Sequence, residues 1–269
     1  MTATIPLPTL TESECRSFRE QGFIGPFTAF SRAEMAEIDA HLVENVFRTA
    51  GPSAPKHTGP VGPDRFFMAG QSRHLDDEGV YRMCTHPEVV GRMASLYGPD
   101  LLLWRSNFFL KEPGGLEIPW HQDLNYWPLE PLVNITAWMA CDDIDGENAC
   151  VNLIPGSHKK TLPHVPKQEG ERIQFHEKAD PEAFEVKDAV AMHLAPGQFF
   201  LFNEKTLHQS DENRSDRRRL GLAIRVTVPF VDVDHDRLFP DHACQVLCGE
   251  DRMGINRVVG PTTGRVRAG

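Results

Sequence analysis

The sequence predicts a mainly β fold with flanking helices, an antiparallel barrel or jelly roll buttressed by helices at its N-terminal end. Two observations support this. The first hundred residues carry apolar side chains at helical spacing, whereas from Leu101 onward short runs of β-branched and bulky residues alternate with turn residues. Helices followed by many short strands are typical of a β barrel or jelly roll. The 269 residues suffice for one large core, so we expect a single domain over residues 1–269.

The helices are predicted from capping boxes and apolar spacing over about residues 1–100. Thr11 and Glu14 form one capping box, which opens a helix to about Gln21, and Ser31 and Glu34 form another. A Gly/Pro-rich loop follows over residues 51–63. Helical spacing returns over residues 78–97 and stops at Gly98. The apolar positions of the second helix are Met35, Ile38, Leu42, Val43 and Val46.

The predicted β core covers about residues 101–230 and is followed by a C-terminal extension, residues 231–269. Turn residues such as Glu112-Pro113-Gly114-Gly115 separate its runs. A polar, weakly patterned segment, residues 165–188, interrupts the core and is a candidate insertion or lid over the barrel mouth. The predicted strands are Leu101 to Lys111, Val133 to Cys141, Cys150 to Ile154, Val190 to Leu194, Gln198 to Asn203 and Leu220 to Val228.

Charge and composition restrict the possible partners. The net charge of −10 argues against nucleic acid or an anionic membrane surface, because both repel an acidic protein. The N-terminus lacks the basic start and apolar stretch of a signal peptide, and no apolar run is long enough to span a membrane. Six scattered cysteines are expected to be reduced thiols. We therefore expect a cytoplasmic protein, and leave open whether it is a monomer or a homodimer.

Two His-x-Asp triplets are candidate metal sites, because residues i and i+2 of a strand point to the same side. Two imidazoles and one carboxylate keep iron ferrous and leave coordination positions open. His74-Leu75-Asp76 precedes an acidic helical stretch and is expected to be a solvated helix start. His121-Gln122-Asp123 ends a predicted strand inside the β region. The sequence therefore favours His121 and Asp123 as metal ligands.

The third ligand must come from a distant histidine near a cation for a co-substrate carboxylate, which a guanidinium fork binds well. Arg219 follows His208 by eleven residues, and the polar residues between them can turn the chain back. His208 and Arg219 would then lie on neighbouring antiparallel strands, with Arg217 or Arg218 as alternatives. The residue eleven positions after His193 is Glu204, an anion instead of a cation, so His193 does not satisfy this criterion. The histidines considered are His158, His164, His176, His193, His208, His235 and His242.

These motifs together resemble the phytanoyl-CoA dioxygenase (PhyH-like) family over about residues 100–230. The resemblance implies a double-stranded β-helix, a cupin-like jelly roll, with Fe(II) held by His121, Asp123 and His208. It implies 2-oxoglutarate as co-substrate, held by Arg219 and Ser210 in a pocket that Trp138 lines. It also implies O2 as oxidant and succinate and CO2 as products. The matching segments are Trp120–Leu124, Ala137-Trp138, Leu153–His158, His208-Gln209-Ser210 and Arg219, with Gly22-Phe23-Ile24 near the N-terminus.

The retained carboxylate bears on the reaction. Halogenases related to this family replace it with a small residue, which lets chloride occupy the metal. Asp123 is present, so hydroxylation or another oxygen-driven oxidation is favoured over chlorination.

The substrate residues are predicted less directly. Arg105, Asn107, Phe109 and Lys111 alternate along one strand and share a face that contacts 2-oxoglutarate or substrate, although Phe109 is equally compatible with a core face. We assign Asn107 to the co-substrate. Tyr126 and Trp127 follow the metal motif and form an aromatic wall. The assigned substrate residues are Arg105, Lys111, Tyr126, Trp127 and Arg225, with Lys205 as a further cation.

This set favours a small polar metabolite, such as an amino acid, a quaternary amine or an aminoalkylphosphonate. Cations would neutralise an acidic group and the aromatic residues would face an ammonium. The alternatives are a tailoring hydroxylase of a larger apolar natural product or acyl thioester, with residues 165–188 as a wide lid, and a cupin-like module that binds metal or ligand without turnover.

Overall fold

The structure is a computed structural model that describes residues 7–49 and 70–263. The predicted loop at 51–63 lies outside them. Both predicted capping boxes are present: the Thr11 and Ser31 hydroxyls accept hydrogen bonds from the main-chain N–H groups of Glu14 and Glu34, whose carboxylates accept the return bonds. The helices are α1 (Glu12–Gln21), α2 (Arg32–His41, continued by a π-turn over Leu42–Val46), α3 (Glu78–Cys84) and α4 (Pro87–Tyr97).

The helical stretch predicted over residues 78–97 is divided into α3 and α4. Pro87 occupies the first turn of α4, where its missing N–H costs nothing, and the chain therefore restarts there. The last turn ends at Gly98, as predicted. No helix of the described residues is long and apolar enough to cross a membrane.

The strands follow the predicted order and nearly the predicted bounds. Leu101–Lys111 and Gln198–Asn203 have the predicted ends, and the other four predicted strands differ by one or two residues. The strands are β1 (Phe23–Thr28), β2 (Leu101–Lys111), β3 (Ile118–His121), β4 (Leu129–Glu130), β5 (Ile135–Ala140), β6 (Val151–Leu153), β7 (His164–Pro166), β8 (Glu177–Ala179), β9 (Val190–Met192), β10 (Gln198–Asn203), β11 (His208–Ser210), β12 (Arg219–Thr227), β13 (Asp232–Val233), β14 (Cys244–Cys248) and β15 (Val258–Val259).

Two sheets form the jelly roll that the sequence predicts, a double-stranded β-helix. The major sheet has seven strands in the order β1-β10-β5-β12-β2-β14-β15, and the minor sheet has four in the order β3-β11-β6-β9. All of these neighbours pair antiparallel except β14 and β15. The C-terminal extension thus adds β14 and β15 beside β2, and the N-terminal segment adds β1 at the opposite edge.

The central strands β5 and β12 of the major sheet are buried on both faces. Along β5, Met139 packs with the helices, whereas Trp138 belongs to the cluster between the two sheets. Along β12, Leu222 and Ala223 divide in the same way. Because side chains alternate in a strand, every second residue of β12 from Arg219 to Arg225 faces the space between the sheets. The inner faces of β2 and β12 therefore build the wall of the site.

The predicted solvated helix start at His74 is wrong. His74 is fully buried in a short 3-10 turn, and its Nδ1 lies 2.7 Å from the hydroxyl of Ser106. The hydroxyl of Thr262 donates to the carbonyl oxygen of His74 at 2.6 Å. The C-terminal segment therefore covers this turn. A contact between residues so far apart leaves no trace in the local pattern around His74.

Candidate metal centre

Three side chains converge beside the paired strands β3 and β11 of the minor sheet. His121 ends β3, Asp123 begins the 3-10 turn that follows, and His208 lies opposite His121 on β11. Their candidate ligand atoms all lie within 4.8 Å of one another. The three residues are 3%, 5% and 9% exposed, so they form a buried site rather than a chance surface cluster. Within the described residues, no other group of His, Cys, Asp and Glu satisfies the same geometry.

Hydrogen bonds set the tautomers of both histidines. Nδ1 of His121 donates to the carbonyl oxygen of Pro119, and Nδ1 of His208 donates to that of Thr206, each at 2.8 Å. A carbonyl only accepts, so Nδ1 carries the proton and Nε2 keeps its lone pair. Oδ2 of Asp123 is buried without a hydrogen-bond partner. Two free imidazole nitrogens and an unsatisfied carboxylate oxygen fit a divalent cation.

The electrostatics keep this set in the form that a metal requires. Burial, and then the neighbouring His121, lower the pKa of His208 to about 4. Burial alone would raise the pKa of Asp123, but the positive charge of Arg225 holds it well below its usual range. At neutral pH, His208 is therefore neutral and Asp123 ionised, which spares metal binding the cost of removing their protons.

A first cavity, the inner cavity, begins at the candidate metal ligands and is narrow, with a volume of about 40 Å³. Arg219 of β12 forms its far end and is 1% exposed. Its Nε donates to the carbonyl of Ala149 at 3.1 Å, and its Nη2 donates to the hydroxyl of Ser210 at 3.0 Å. The inner cavity is lined by Phe109, Ile118, His121, Asp123, Trp138, Val151, Phe175, Phe202, His208, Gln209, Ser210, Arg219, Ala223 and Arg225.

Arg219 lacks a carboxylate partner in the described part of the chain, where no Asp or Glu oxygen lies within 4.0 Å of its guanidinium. Burial lowers its pKa to about 10, so the group still carries its charge at neutral pH. The guanidinium carbon lies 5.5 Å from the ring of Trp138. A buried, unpaired guanidinium beside a hydroxyl is suited to one end of a dicarboxylate.

The other two arginines of the run point away from the inner cavity. Arg217 is on the surface and pairs with Asp145 at 2.8 Å. Arg218 pairs with Asp142 at 3.0 Å and with Asp39 of α2. Arg219 is the first residue of β12, whereas Arg217 and Arg218 precede the strand, and of the three only Arg219 donates a hydrogen bond to Ser210.

Gly221 makes room for Trp138 on the neighbouring strand. A Cβ at this glycine would lie 2.2 Å from Cζ2 of the Trp138 indole, well inside contact distance. Trp138 also stacks on Phe200, with the ring centroids 6.0 Å apart. The missing side chain thus lets the indole lie flat along the wall of the inner cavity.

A second cavity, the outer cavity, adjoins the first and has a volume of about 240 Å³. It receives four of the five predicted substrate residues, namely Arg105, Tyr126, Trp127 and Arg225. Arg225 lies in register with Arg105 on the paired strand β2. The outer cavity is lined by Arg105, Asn107, Phe109, Asp123, Tyr126, Trp127, Gln174, Phe175, His176 and Arg225.

Three predicted residues take other positions. Asn107, assigned to the co-substrate, lines only the outer cavity, where its Oδ1 accepts a hydrogen bond from Nε of Arg105 at 3.1 Å. Lys111 lines neither cavity; its Nζ donates to the carbonyls of Ser210 and Asp211 at 2.9 and 2.5 Å. Lys205 also lines neither cavity. Lys111 therefore supports the main chain behind Ser210 instead of facing a substrate.

Sequence reasoning missed two contributors. Phe175 comes from the polar segment 165–188, which forms a hairpin of β7 and β8 over the site, and its ring lies 4.8 Å from that of His121. Gln122, between the two metal ligands, is fully buried and donates to the carbonyls of Lys160 and Lys205 while its Oε1 accepts from Leu162. The predicted lid position of 165–188 could have suggested that one of its two phenylalanines, Phe175 or Phe184, covers the site.

Two histidines and one carboxylate in a double-stranded β-helix form a candidate 2-His-1-carboxylate metal site. The sequence model of the phytanoyl-CoA dioxygenase (PhyH) family matches residues 18–221. The chain belongs to this family of Fe(II)- and 2-oxoglutarate-dependent oxygenases, in agreement with the resemblance seen in its motifs.

Known proteins similar to the chain support the same family. The "Phytanoyl-CoA dioxygenase, peroxisomal" of Bos taurus is 32% identical over 172 residues, which are 59% of this chain and 50% of that protein. The chain thus spans about half the length of the curated relatives it matches. Because this relative is named peroxisomal, a cytoplasmic location stays a prediction.

Two solved structures superpose over most of the chain. "CytC3 with Fe(II) and alpha-ketoglutarate" has a TM-score of 0.71 at 25% identity and covers 93% of this chain and 94% of its own. "Non-heme monooxygenase; ThoJ apo" has a TM-score of 0.69 at 26% identity and covers 93% and 88%.

Proposed function

We propose that this protein is an Fe(II)- and 2-oxoglutarate-dependent oxygenase that hydroxylates a small polar metabolite. The observation that carries the proposal is the inner cavity, with three metal-ligand side chains at one end and Arg219 at the other. The family supplies the cofactors, and CytC3, a structural neighbour, is described with Fe(II) and alpha-ketoglutarate.

Each part of the inner cavity has a distinct task in this proposal. His121, Asp123 and His208 would hold the iron. When bound, Fe(II) with 2-oxoglutarate and O2 supplies the oxidising power for C–H hydroxylation and leaves succinate and CO2. Arg219 and Ser210 bind the far carboxylate of the co-substrate through charge-assisted hydrogen bonds. Trp138 and Phe202 exclude water from that side of the cavity, which strengthens the electrostatic contacts within it.

The outer cavity is the proposed substrate site because it shares Asp123, Phe175 and Arg225 with the inner cavity. Its volume of about 240 Å³ lies just below the range of about 300–1,000 Å³ that is ordinary for small-molecule sites, which favours a small ligand. Arg105 and Arg225 line this cavity instead of facing solvent, which favours a polar metabolite over a wholly apolar natural product or acyl thioester. Placing the reacting C–H near the metal is the main contribution that such a wall makes to the rate.

The experiment is to load the purified protein with Fe(II) and measure succinate formed from 2-oxoglutarate, with and without a panel of metabolites. A thermal-shift screen with the same panel selects the compounds. Substrate-stimulated succinate formation supports the oxygenase. A protein that binds metal and 2-oxoglutarate but forms no succinate under any condition would instead be a cupin-like binding module.

A further inference from the structure

Two arginines lie side by side on the wall of the outer cavity. Arg225 of β12 and Arg105 of β2 are paired residues of adjacent antiparallel strands, and both line the cavity. Like charges directly opposite each other on a sheet are destabilising. The fold therefore tolerates a repulsive pair in the cavity that Asp123 also lines, which calls for a compensating partner.

Neither guanidinium has such a partner in the described residues, where no Asp or Glu oxygen lies within 4.0 Å of either. Arg225 is 6% exposed, and its Nε is buried without any hydrogen bond. Asp123 attracts both arginines from a greater distance, but its carboxylate belongs to the metal site. Burial lowers the pKa of both groups, that of Arg105 to about 9. A buried cation without an anion is costly, so an external anion would stabilise the pair.

The other residues that line the outer cavity indicate the chemistry of the rest of the ligand. Phe109, Tyr126, Trp127 and Phe175 give the outer cavity an aromatic wall. The guanidinium of Arg225 lies 5.1 Å from the ring of Trp127 and 5.8 Å from that of Phe109. The protein's own cation thus already occupies the cation–π position at Trp127, which disfavours a ligand ammonium there. Apart from Asp123, the described residues that line the cavity include no acidic side chain to bind an ammonium.

We propose that the substrate is an organic acid whose carboxylate or phosphonate group is bound between Arg105 and Arg225 while its apolar body packs on the aromatic wall. Asn107 is a positioning residue, since its Oδ1 accepts the Nε hydrogen of Arg105 and orients that guanidinium. The inference rests on the proposed function only in taking the outer cavity as the substrate site. It narrows that function to acids and removes quaternary amines that lack an acidic group.

The test is a binding measurement on protein loaded with Zn(II) and saturating 2-oxoglutarate, so that no turnover is needed. The probes are matched pairs of acid and neutral amide: butyrate and butyramide, hexanoate and hexanamide, hydrocinnamate and hydrocinnamamide. Phenethylphosphonate distinguishes a phosphonate site from a carboxylate site. Tryptophan fluorescence reports binding, because Trp127 lines the cavity. We expect at least one acid to bind about tenfold or more tightly than its amide.

Variants assign this preference to the two arginines. Arg225→Gln and Arg105→Gln should each reduce acid binding to the level of the amide, whereas Arg225→Lys should retain part of the preference. Arg217→Gln is the matched control, an exposed arginine paired with Asp145 outside both cavities. Thermal unfolding checks the fold of each variant. If Arg225→Gln does not fold, Arg105→Gln decides, because this residue is more accessible.

The outcomes separate the inference from the proposed function. If every acid binds no more tightly than its amide, including the case in which no probe binds, the anion site is overturned. Competition between the acids and 2-oxoglutarate overturns it too, because the acids would then bind at Arg219 in the co-substrate site. An acid preference lost in Arg105→Gln supports it even if the iron-loaded protein forms no succinate, a result that would contradict only the oxygenase.

Discussion

His121 and His208 lie opposite each other on β3 and β11 with ring centroids 4.2 Å apart, and each donates its Nδ1 hydrogen to the carbonyl of the residue two positions earlier. The two imidazoles are therefore held in the same tautomer by the same local device. Main-chain acceptors do this, so the orientation depends on the strands and not on further side chains. It follows that Nε2 of both rings is available to the metal before any metal binds.

Replacing His121, Asp123 or His208 with alanine should abolish high-affinity binding of one divalent ion and all succinate formation, while circular dichroism shows an intact fold. Each change removes one of three ligands from a site that has no spare donor among the described residues. His193→Ala, at an exposed position, is the control and should bind metal normally. Near-normal turnover in any of the three variants would contradict that ligand. Asp123→Gly is expected to retain weak metal binding and to admit chloride.

Replacing Arg219 with alanine should raise the 2-oxoglutarate concentration for half-maximal succinate formation about ten- to hundredfold. This corresponds to the roughly 1.5–3 kcal/mol of a hydrogen bond to a charged group. Arg217→Ala should leave this concentration unchanged. Arg218→Ala should reduce stability, because it removes the ion pairs with Asp142 and Asp39, but not co-substrate affinity. Greater sensitivity at position 217 or 218 than at 219 would mean that the register of β12 in solution differs.

Replacing Gly221 with alanine should destabilise the protein by about 1–3 kcal/mol, as overpacking of a core does. The new Cβ would lie 2.2 Å from the Trp138 indole, which must then move into the inner cavity and weaken 2-oxoglutarate binding. Gly146→Ala is the control, because a Cβ added there would meet nothing within 4 Å, and it should change stability by less than about 0.5 kcal/mol. Urea unfolding and co-substrate titration measure both effects. Unchanged values for Gly221→Ala would show that the indole is free to move without cost.

Acidification should unfold the metal-free protein partly through His242. This side chain is fully buried, with Nδ1 at 2.7 Å from Nδ1 of His235 and Nε2 donating to the Trp104 carbonyl, and burial lowers its pKa from 6.5 to about 4. The unfolded chain therefore binds the proton more tightly. The contribution of His242 is complete above about pH 6.5 and falls by up to about 3 kcal/mol as the pH drops to about 4.

The measurement is the difference in unfolding free energy between the natural protein and His242→Gln in urea, at several pH values from about 7 to about 4.5. We expect this difference to shrink as the pH falls, since only the natural protein has that proton to take up. A difference independent of pH would show that His242 titrates normally in the folded state.

Four strands of the major sheet, β2, β5, β10 and β12, were predictable because the pattern that identifies them is local, whereas β14 and β15 lie in the C-terminal extension, where no strand was predicted. Leu101–Lys111 is a long run of bulky residues bounded by turn residues, and its ends in the structure are those predicted. β1 was not predicted, because Gly25 and Pro26 interrupt its pattern and its pairing with β10 is irregular there. The prediction of a solvated helix start at His74 failed because Thr262, which is distant in sequence, covers this residue.

The convergence of His121, Asp123 and His208 was accessible to sequence reasoning because strand alternation constrains the first two, and the spacing from His208 pointed to Arg219. Strand alternation also places Asn107 and Lys111 on the face of Arg105, and the structure agrees. It does not say how far along that face each cavity extends. Asn107 therefore reaches only the outer cavity, and Lys111 lies beyond both, against the main chain of Ser210. The position of Phe175 could not be predicted, because it depends on how the polar hairpin of β7 and β8 folds back over the site.

The proposed metal and co-substrate contacts are divided between the two layers of the fold. His121 and His208 belong to the minor sheet, whereas Arg219 and Trp138 belong to the major sheet, and the bond from Arg219 to Ser210 crosses between them. A metal alone would therefore fasten β3 to β11 within one layer. A dicarboxylate bound to that metal and to Arg219 would act as a clasp between the layers. This end of the jelly roll would then be most rigid when both the metal and 2-oxoglutarate are bound. It would become more flexible each time succinate leaves.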